Sequence, residues 1–345
     1  MSRIDGVDVI KVIAITAVIV IHAAPFGGMA SHGDIYGYLE VCLNQLSRFA
    51  VPFFFIVSGY FFGIKERGDN SKTIRHTIDT TKRLLFIFLA WSLIYLLPYN
   101  IGAIYQYGIG GPLKVAYWNF LNLMTDPVRV VFHGTKAHLW FLAGLAWSVG
   151  FTGAFLYLGL RKSIYFIAGG LYILGVLGQS YSDSPFGIHF NFDIRNHIFF
   201  STIFFVTGYW LSNFIPRPSW FLRGIVLFVF GVVIHFSEIY LLWKLYGTDP
   251  SIHSYTIGTY IMGVGITLVA LSNHRVLSIN TLANAGKYVL GIYVVHYMFV
   301  DILSPVSASI SNPVWEILKV PTVLLLSVGT AVLLSKNKST RKIVF

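Results

Sequence analysis

The sequence predicts an all-α polytopic membrane protein with about ten transmembrane helices and both termini in the cytoplasm. Hydrophobic residues fill 55% of the 345 positions and charged residues only 11%, whereas a soluble domain carries about a quarter charged residues. Apolar runs of membrane length, about 18 residues or more, recur along the chain. Of the 25 Lys and Arg residues, 17 fall on one side of the predicted membrane and 6 on the other. The positive-inside rule therefore places both termini inside.

Each predicted span is an apolar run bounded by polar or charged residues. The first run is kept as a helix of the mature protein, because Asp5 and Asp8 precede it where a signal peptide would be basic, and Pro25 disfavours cleavage. Residues 1–345 are expected to form one transmembrane domain, with residues 336–345 as a short basic cytoplasmic tail. The spans cover approximately residues 7–24, 46–64, 84–101, 137–160, 163–180, 197–215, 221–243, 254–272, 287–305 and 314–335.

The composition also excludes several classes of function. A net charge of +11 can indicate nucleic-acid binding, but the positive-inside rule explains this charge, so no nucleic-acid partner is expected. The single cysteine, Cys42, rules out an internal disulfide framework and a Cys-based metal site. The chain has no Gly-rich phosphate loop and no Cys or His metal pattern, and we predict no metal.

Two ionisable residues lie in the first span. Lys11 and His22 are eleven positions apart, so on a helix they differ by about 20° and are separated by about 16 Å along the axis. Ile15 and Val18 lie on the same stripe, and Asp8 precedes Lys11 at the i,i+3 spacing that can hold its ammonium. Separately, each group has an ordinary explanation: snorkelling for the lysine and an interfacial or interhelical hydrogen bond for the histidine. Their shared stripe favours a protein-facing, functional pair.

The chemistry of this pair indicates a phosphorylated donor. Histidine is suited to act as a general base near neutral pH, and a lysine at the inner end of the helix can anchor a phosphate. With the N-terminus inside, Lys11 lies near the cytoplasmic boundary and His22 near the outer one. The spacing therefore predicts a cytoplasmic donor, with the reaction deeper in the membrane.

The stretch RIDGVDVIKVIAITAVIVIH resembles the first helix of the acyltransferase-3 family of membrane O-acyltransferases. The hallmark of that family is an Arg or Lys, ten residues and then a His, here Lys11 and His22. Lys11 stands where arginine is commoner in the family, and a lysine cannot bind a phosphate in the bidentate geometry of arginine. Further resemblances follow in order along the chain, in SRFAVPFFFIVSGYFFG (residues 47–63), HLWFL (138–142), the weaker FFVTGYWL (204–211) and GIYVVH (291–296).

The resemblance implies an enzyme that transfers an acyl group, usually acetyl, from cytoplasmic acyl-CoA to a hydroxyl of an extracytoplasmic or lipid-linked glycan. It implies that His22 is the catalytic residue and that the protein is a multi-pass protein of the bacterial inner membrane, in contact with lipid. Many relatives carry an additional periplasmic hydrolase-like domain. This chain, ending at residue 345, is expected to act alone or with separate partners.

Three more residues are candidates for catalysis. Arg48, at the outer start of the second span, either stabilises an oxyanion or holds the acceptor, or is an interfacial anchor. His138 is either a second active-site residue or a histidine of the interface belt. Glu238, with His235 on the same helical face, is either part of a structural pair or a carboxylate that orients a catalytic histidine. His296 matches a family motif without an assigned step.

The binding site for the acyl donor is predicted to lie on the cytoplasmic side. Lys11 and the basic loop that ends at Lys82 and Arg83 can receive the phosphates of CoA. Ser58, next to Gly59, either permits close helix packing or lines the path of the pantetheine arm.

On the outer side, the segment 102–136 is rich in aromatic residues, which belong to the interface belt or to a re-entrant or sugar-stacking surface. Arg195, with Asp193 and His197, either binds an anionic acceptor or is a solvated loop charge.

Two other classes of function remain open. A transporter of a lipid-linked sugar or another solute would suit ten spans, although the chain shows no inverted repeat. A structural partner in a polysaccharide assembly would not explain the alignment of Lys11 with His22. Within the enzyme class, the sequence leaves open whether His22 acts as a general base or as a transient acyl carrier.

Overall fold

The computed structural model describes residues 4–66, 70–191, 194, 198–310 and 312–345. Every regular element in these residues is a helix, which confirms the all-α prediction. Arg3 and Arg67, which entered the prediction of topology, and Arg195, Asp193 and His197, which entered the prediction of an outer anion site, lie outside the described residues. The helices are α1 (Asp5–Ala23), α2 (Asp34–Leu46), α3 (Ala50–Glu66), α4 (Asn70–Ile94), α5 (Ala103–Tyr107), α6 (Gly111–Thr125), α7 (Pro127–His133), α8 (Trp140–Tyr157), α9 (Ser163–Gly178), α10 (Ile198–Leu211), α11 (Trp220–Tyr246), α12 (Ile257–Leu271), α13 (Asn280–Ala285), α14 (Val289–Ser309), α15 (Pro313–Lys336) and α16 (Lys338–Arg341).

Six helical segments of the described chain are long and apolar enough to cross a membrane. Three further predicted spans coincide with α9, α10 and α12, which are apolar but only 14 to 16 residues long. The predicted span 84–101 corresponds to the second half of α4, which ends at Ile94. The chain is thus a membrane protein, while ten spans and cytoplasmic termini stay predictions. The six segments are Asp5–Met29, Asp34–Glu66, Ala137–Tyr157, Trp220–Tyr246, Asn280–Ser309 and Pro313–Lys336.

The chain divides into two compact units. The boundary between them falls within α1, so that Lys11 belongs to the first unit and His22 to the second. The first unit comprises Met1–Ala14, Arg48–Leu84 and Gly144–Gly286, and the second comprises Ile15–Ser47, Leu85–Ala143 and Lys287–Phe345.

In the first unit, α3 packs against α10 with almost no space between the backbones. A β-carbon at Gly59 of α3 would overlap the carbonyl oxygen of Phe205, and one at Gly208 of α10 would overlap the carbonyl oxygen of Ile56. Two helices can approach this closely only where glycine removes the side chain. This confirms the close-packing interpretation of the Ser58–Gly59 pair as far as Gly59 is concerned.

In the second unit, α14 packs against α15, and the predicted outer loop forms the three short helices α5, α6 and α7. The aromatic rings of Tyr105 and Tyr117 are exposed there. The ammonium of Lys114 lies 4.7 Å from the ring centroid of Tyr107 and 5.0 Å from that of Trp118. A sugar-stacking role for this surface stays a prediction.

Candidate active site

Three histidines from distant parts of the sequence meet in the second unit. His22 lies in the last turn of α1, His138 in the 3₁₀ turn Ala137–Leu139 before α8, and His296 in α14. The ring centroid of His22 is 6.4 Å from that of His138 and 5.4 Å from that of His296, and the last two centroids are 5.1 Å apart. His138 therefore lies beside His22, and His296 completes the histidine cluster.

Tyrosine rings enclose the histidine cluster. The ring of Tyr297 stacks on His138 at 4.9 Å with an interplanar angle of 8°, and its centroid lies 5.1 Å from that of His22. Tyr95 meets His138 edge-on at 5.2 Å. Tyr293 lies 5.5 Å away on another side and donates its hydroxyl to the carbonyl oxygen of His138. These contacts fix the position and plane of the His138 ring.

The hydrogen bonds of the two buried rings leave nitrogens available to a ligand. Nδ1 of His296 lies 2.5 Å from the carbonyl oxygen of Tyr293. A carbonyl only accepts, so Nδ1 is assigned the proton, and Nε2 of the neutral ring carries a lone pair. Within the described residues, Nε2 of His296 and both ring nitrogens of His138 are buried and have no hydrogen-bond partner. Such buried groups require an explanation, and a polar ligand atom between the rings supplies one.

A polar triad borders the histidine cluster. The ammonium of Lys136 lies 2.8 Å from a carboxylate oxygen of Asp301, and the hydroxyl of Tyr99 donates to the same carboxylate oxygen. Lys136 is also 5.9 Å from the ring centroid of Tyr297. Sequence patterns alone predict no functional role for Lys136 or Tyr99. The one sequence signal for this triad is that Lys136 stands two positions before His138, the first residue of the HLWFL motif.

Lys11 is held as the sequence predicts. Its ammonium lies 3.0 Å from a carboxylate oxygen of Asp8 and 5.8 Å from the ring centroid of Phe61. Ile15 and Val18, which share the stripe, are buried, so this face of α1 is directed into the protein.

Glu238 caps a helix. Its carboxylate accepts hydrogen bonds from the backbone N–H groups of Ile257 at 3.1 Å and Gly258 at 2.8 Å, both in the first turn of α12. The hydroxyl of Tyr181 donates to it at 2.7 Å. A negative charge at a helix N-terminus satisfies orphan donors and interacts favourably with the helix dipole. These partners lie in the first unit and favour the structural alternative for Glu238 over the catalytic one.

Replacing Glu238 with alanine should lower stability without changing the activity of the folded fraction. The substitution leaves two backbone donors and a hydroxyl without their acceptor, at a total cost of about 3 kcal/mol. The measurement is the thermal midpoint in detergent together with activity per folded molecule. Glu238→Gln keeps one acceptor oxygen, so its thermal midpoint should lie between those of the wild type and Glu238→Ala. Lost activity at an unchanged midpoint would restore the catalytic assignment.

The other sequence candidates lie in the first unit. Arg48 is half-buried in the 3₁₀ turn Ser47–Phe49. Burial lowers the pKa of nearby His253; the charges of Asp249 and Asp183 oppose this shift, and the charge of Arg48 adds to it. Lys82 and Arg83 are exposed on α4 and remain accessible to an anion.

Two further findings concern the predicted donor path and possible metal sites. Ser58 donates its hydroxyl to the carbonyl oxygen of Phe54 at 2.7 Å, within its own helix, so its predicted role on the pantetheine path has no support from these contacts. In the portion of the chain that is described, no group of three or more His, Cys, Asp or Glu side chains could hold a metal ion.

Comparison with known proteins adds a family and three distant relatives. A family model described as an acyltransferase domain, that of the acyltransferase-3 family, matches residues 4–336. An amino-acid racemase of Enterococcus faecalis is 30% identical over 231 residues, which cover 61% of this chain and 28% of the relative. A serine/alanine racemase of Enterococcus gallinarum is 30% identical over 215 residues, which cover 59% and 28% respectively. A second Enterococcus faecalis amino-acid racemase is 26% identical over 233 residues, covering 65% and 29%. The chain therefore spans less than a third of the length of these relatives. No solved structure matches significantly.

Proposed function

This chain belongs to the acyltransferase-3 family, and we propose that it moves an acyl group, acetyl as the first choice, from cytoplasmic acyl-CoA to a hydroxyl of an extracytoplasmic or lipid-linked glycan. The proposed location is the bacterial inner membrane. The observation that supports this proposal most is the histidine cluster at the end of α1, the helix whose other end carries Lys11. Family membership supports acyl transfer, and the cluster supplies groups that can carry it out.

His22 is the residue best suited to take up the proton. A charged imidazolium is costly to bury, and His22 is partly exposed whereas His138 and His296 are fully buried. In the general-base route, His22 removes the proton of the acceptor hydroxyl while that oxygen attacks the thioester carbonyl. The tetrahedral intermediate then expels the CoA thiolate, which takes the proton back from His22. In the alternative route, His22 first carries the acyl group itself.

The two buried histidines would orient the reacting groups. Nε2 of His296 can accept a hydrogen bond from the attacking hydroxyl, and a protonated nitrogen of neutral His138 can donate to the carbonyl oxygen as negative charge develops there. Both rings are already fixed by tyrosines, so no reorganisation is needed at the moment of reaction. This division of roles follows from their burial and from their available nitrogens.

Lys11 would bind the phosphates of the donor. Replacing it with alanine should raise the KM for acyl-CoA by about tenfold while kcat stays within about twofold, because a group that binds donor and transition state equally affects KM alone. Initial rates in membranes at varied acyl-CoA concentration provide the measurement. Lys11→Arg should retain activity, and Lys162→Ala, a change at an exposed lysine, serves as control. A fall in kcat with unchanged KM would contradict donor binding.

The cellular function is tested by deletion. Mass spectrometry of surface glycans from a deletion strain should show the loss of an acyl ester that returns with the wild-type gene and not with a His22→Ala variant. Glycans identical in the deletion and parent strains would contradict the proposed acceptor class.

The alternative is a transporter of a lipid-linked sugar or another solute. The relatives are named for amino-acid racemisation, which makes a free amino acid the first solute to test. In proteoliposomes, solute flux without transfer of label from radiolabelled acetyl-CoA would support transport. Label on a glycan would support the enzyme.

A further inference from the structure

The turn that follows α1 has an unusual backbone. Ala24 has φ of 41° and Phe26 has φ of 71°, and both are non-glycine residues in the left-handed region. That region is unfavourable for residues with a β-carbon. Ala24 also precedes Pro25, a position that normally requires extended backbone. The turn begins two residues after His22, and contacts from elsewhere must hold it in this conformation.

Those contacts come from two buried, oppositely charged residues of α15. The backbone N–H of Phe26 donates to the carboxylate of Glu316 at 2.5 Å, and the ammonium of Lys319 donates to the carbonyl oxygen of Ala24 at 3.1 Å. Glu316 and Lys319 also form an ion pair at 2.7 Å. All of these residues belong to the second unit. We call Glu316 and Lys319 the α15 pair.

Stability alone is a weak explanation for the α15 pair. A buried ion pair is often no more stabilising than apolar residues of the same volume, because desolvation offsets its attraction. The polarity of the pair, however, matches the turn. An acceptor faces the N–H of Phe26, and a donor faces the carbonyl oxygen of Ala24, which also accepts from the backbone N–H of Gly27. An apolar pair cannot make these two contacts.

We propose that Glu316 and Lys319 are positioning residues that hold the turn after α1, so that the ring of His22 stays directed into the histidine cluster. The catalytic consequence rests on the proposed acyl transfer, whereas the structural consequence for His22 does not. The α15 pair touches no reacting atom and acts only through the Ala24–Phe26 backbone. It is therefore distinct from Lys11 and from the histidines themselves.

The test exchanges the two charges. The double variant Glu316→Lys, Lys319→Glu keeps an ion pair on α15 but presents a cation to the Phe26 N–H and an anion to the Ala24 carbonyl. We expect kcat to fall by about thirtyfold or more with the donor KM within about twofold of wild type. The neutral double variant Glu316→Gln, Lys319→Met keeps only the contact to Phe26 and should be intermediate. Leu325→Ala alters an exposed side chain of the same helix and serves as control.

A second measurement does not depend on catalysis. Diethyl pyrocarbonate modifies accessible imidazoles, and mass spectrometry of the peptide that contains His22 gives its rate of modification. We expect this rate to rise severalfold in the charge-exchanged variant, to rise less in the neutral one and to stay at the wild-type value in Leu325→Ala. If the charge-exchanged variant does not accumulate, the neutral variant decides by the same measurement. A His22 rate equal to wild type in the folded variant overturns the positioning role.

The two measurements separate the two proposals. If wild-type protein transfers no acyl group but the His22 rate still responds to the α15 pair, then acyl transfer fails and positioning stands. If transfer occurs and neither kcat nor the His22 rate responds, then positioning fails and acyl transfer stands.

Discussion

Replacing His22 with alanine should reduce the rate of acyl transfer by about 10³-fold while leaving the amount of protein in the membrane unchanged. A positioned general base contributes about 10² to 10⁴-fold to rate. The side chain of His22 is partly exposed at the end of α1, and its removal is expected to leave the fold intact. Initial rates of label transfer from acetyl-CoA, normalised to protein by immunoblot, provide the measurement. His189→Ala, at a histidine outside the cluster, should transfer at the wild-type rate.

The same variant separates the two routes for His22. In the acyl-carrier route, wild-type protein incubated with acyl-CoA and no acceptor should accumulate an acyl group on the peptide that contains His22, and His22→Ala should not. In the general-base route, neither protein should accumulate label. Transfer by His22→Ala at more than about a tenth of the wild-type rate would contradict both routes.

Replacing His296 with phenylalanine should reduce kcat by about 10²-fold. Phenylalanine fills nearly the same volume, so packing among the tyrosine rings is retained, while the available Nε2 nitrogen is lost. Removal of a single preorganised hydrogen-bonding group in an active site costs about 10² to 10³-fold in kcat. The substitution also removes the Nδ1–H bond to the Tyr293 carbonyl, which should lower stability by only about 1 kcal/mol.

A double-variant cycle shows whether the histidines act as one site. Residues that act as a unit are strongly non-additive. The double variant His22→Ala, His296→Phe should therefore transfer label no more slowly than His22→Ala alone. Multiplied effects of the two substitutions would mean that His296 works independently of His22, and the interpretation of the cluster as a single site would be wrong.

The sequence predicts local features well because they depend on short spacings. The i,i+3 contact between Asp8 and Lys11 and the buried stripe through Ile15 and Val18 follow from helical periodicity, and the structure confirms both. Membership of the acyltransferase-3 family, inferred from motifs in order along the chain, is also confirmed.

The contacts that complete the site escape such reasoning because they join distant segments. Helical periodicity cannot place His296 beside His22, or Lys136 against Asp301. The α15 pair also cannot be predicted from the sequence pattern, since its partners are backbone atoms of a turn that α15 contacts only through tertiary packing. The contacts of Glu238 are a further example, because the carboxylate binds Tyr181 and the N-terminus of α12, two segments that are distant from it in the sequence.

Helix boundaries also depend on more than hydropathy. The predicted span 84–101 begins where the chain becomes apolar, but α4 already begins at Asn70, within a polar stretch, and ends at Ile94. A helix continues through polar residues while its backbone hydrogen bonds are maintained, so the apolar run covers only part of the helix. The segment after α4 forms the separate helices α5, α6 and α7.

The most direct test of acyl transfer by the histidine cluster uses sealed membrane vesicles with radiolabelled acetyl-CoA supplied only to the cytoplasmic face. We expect label to appear on a glycan at the opposite face with wild-type protein, and to fall to background with His22→Ala at equal protein level. Label on the glycan that is the same with His22→Ala as with wild type, or no label with either, would contradict this expectation.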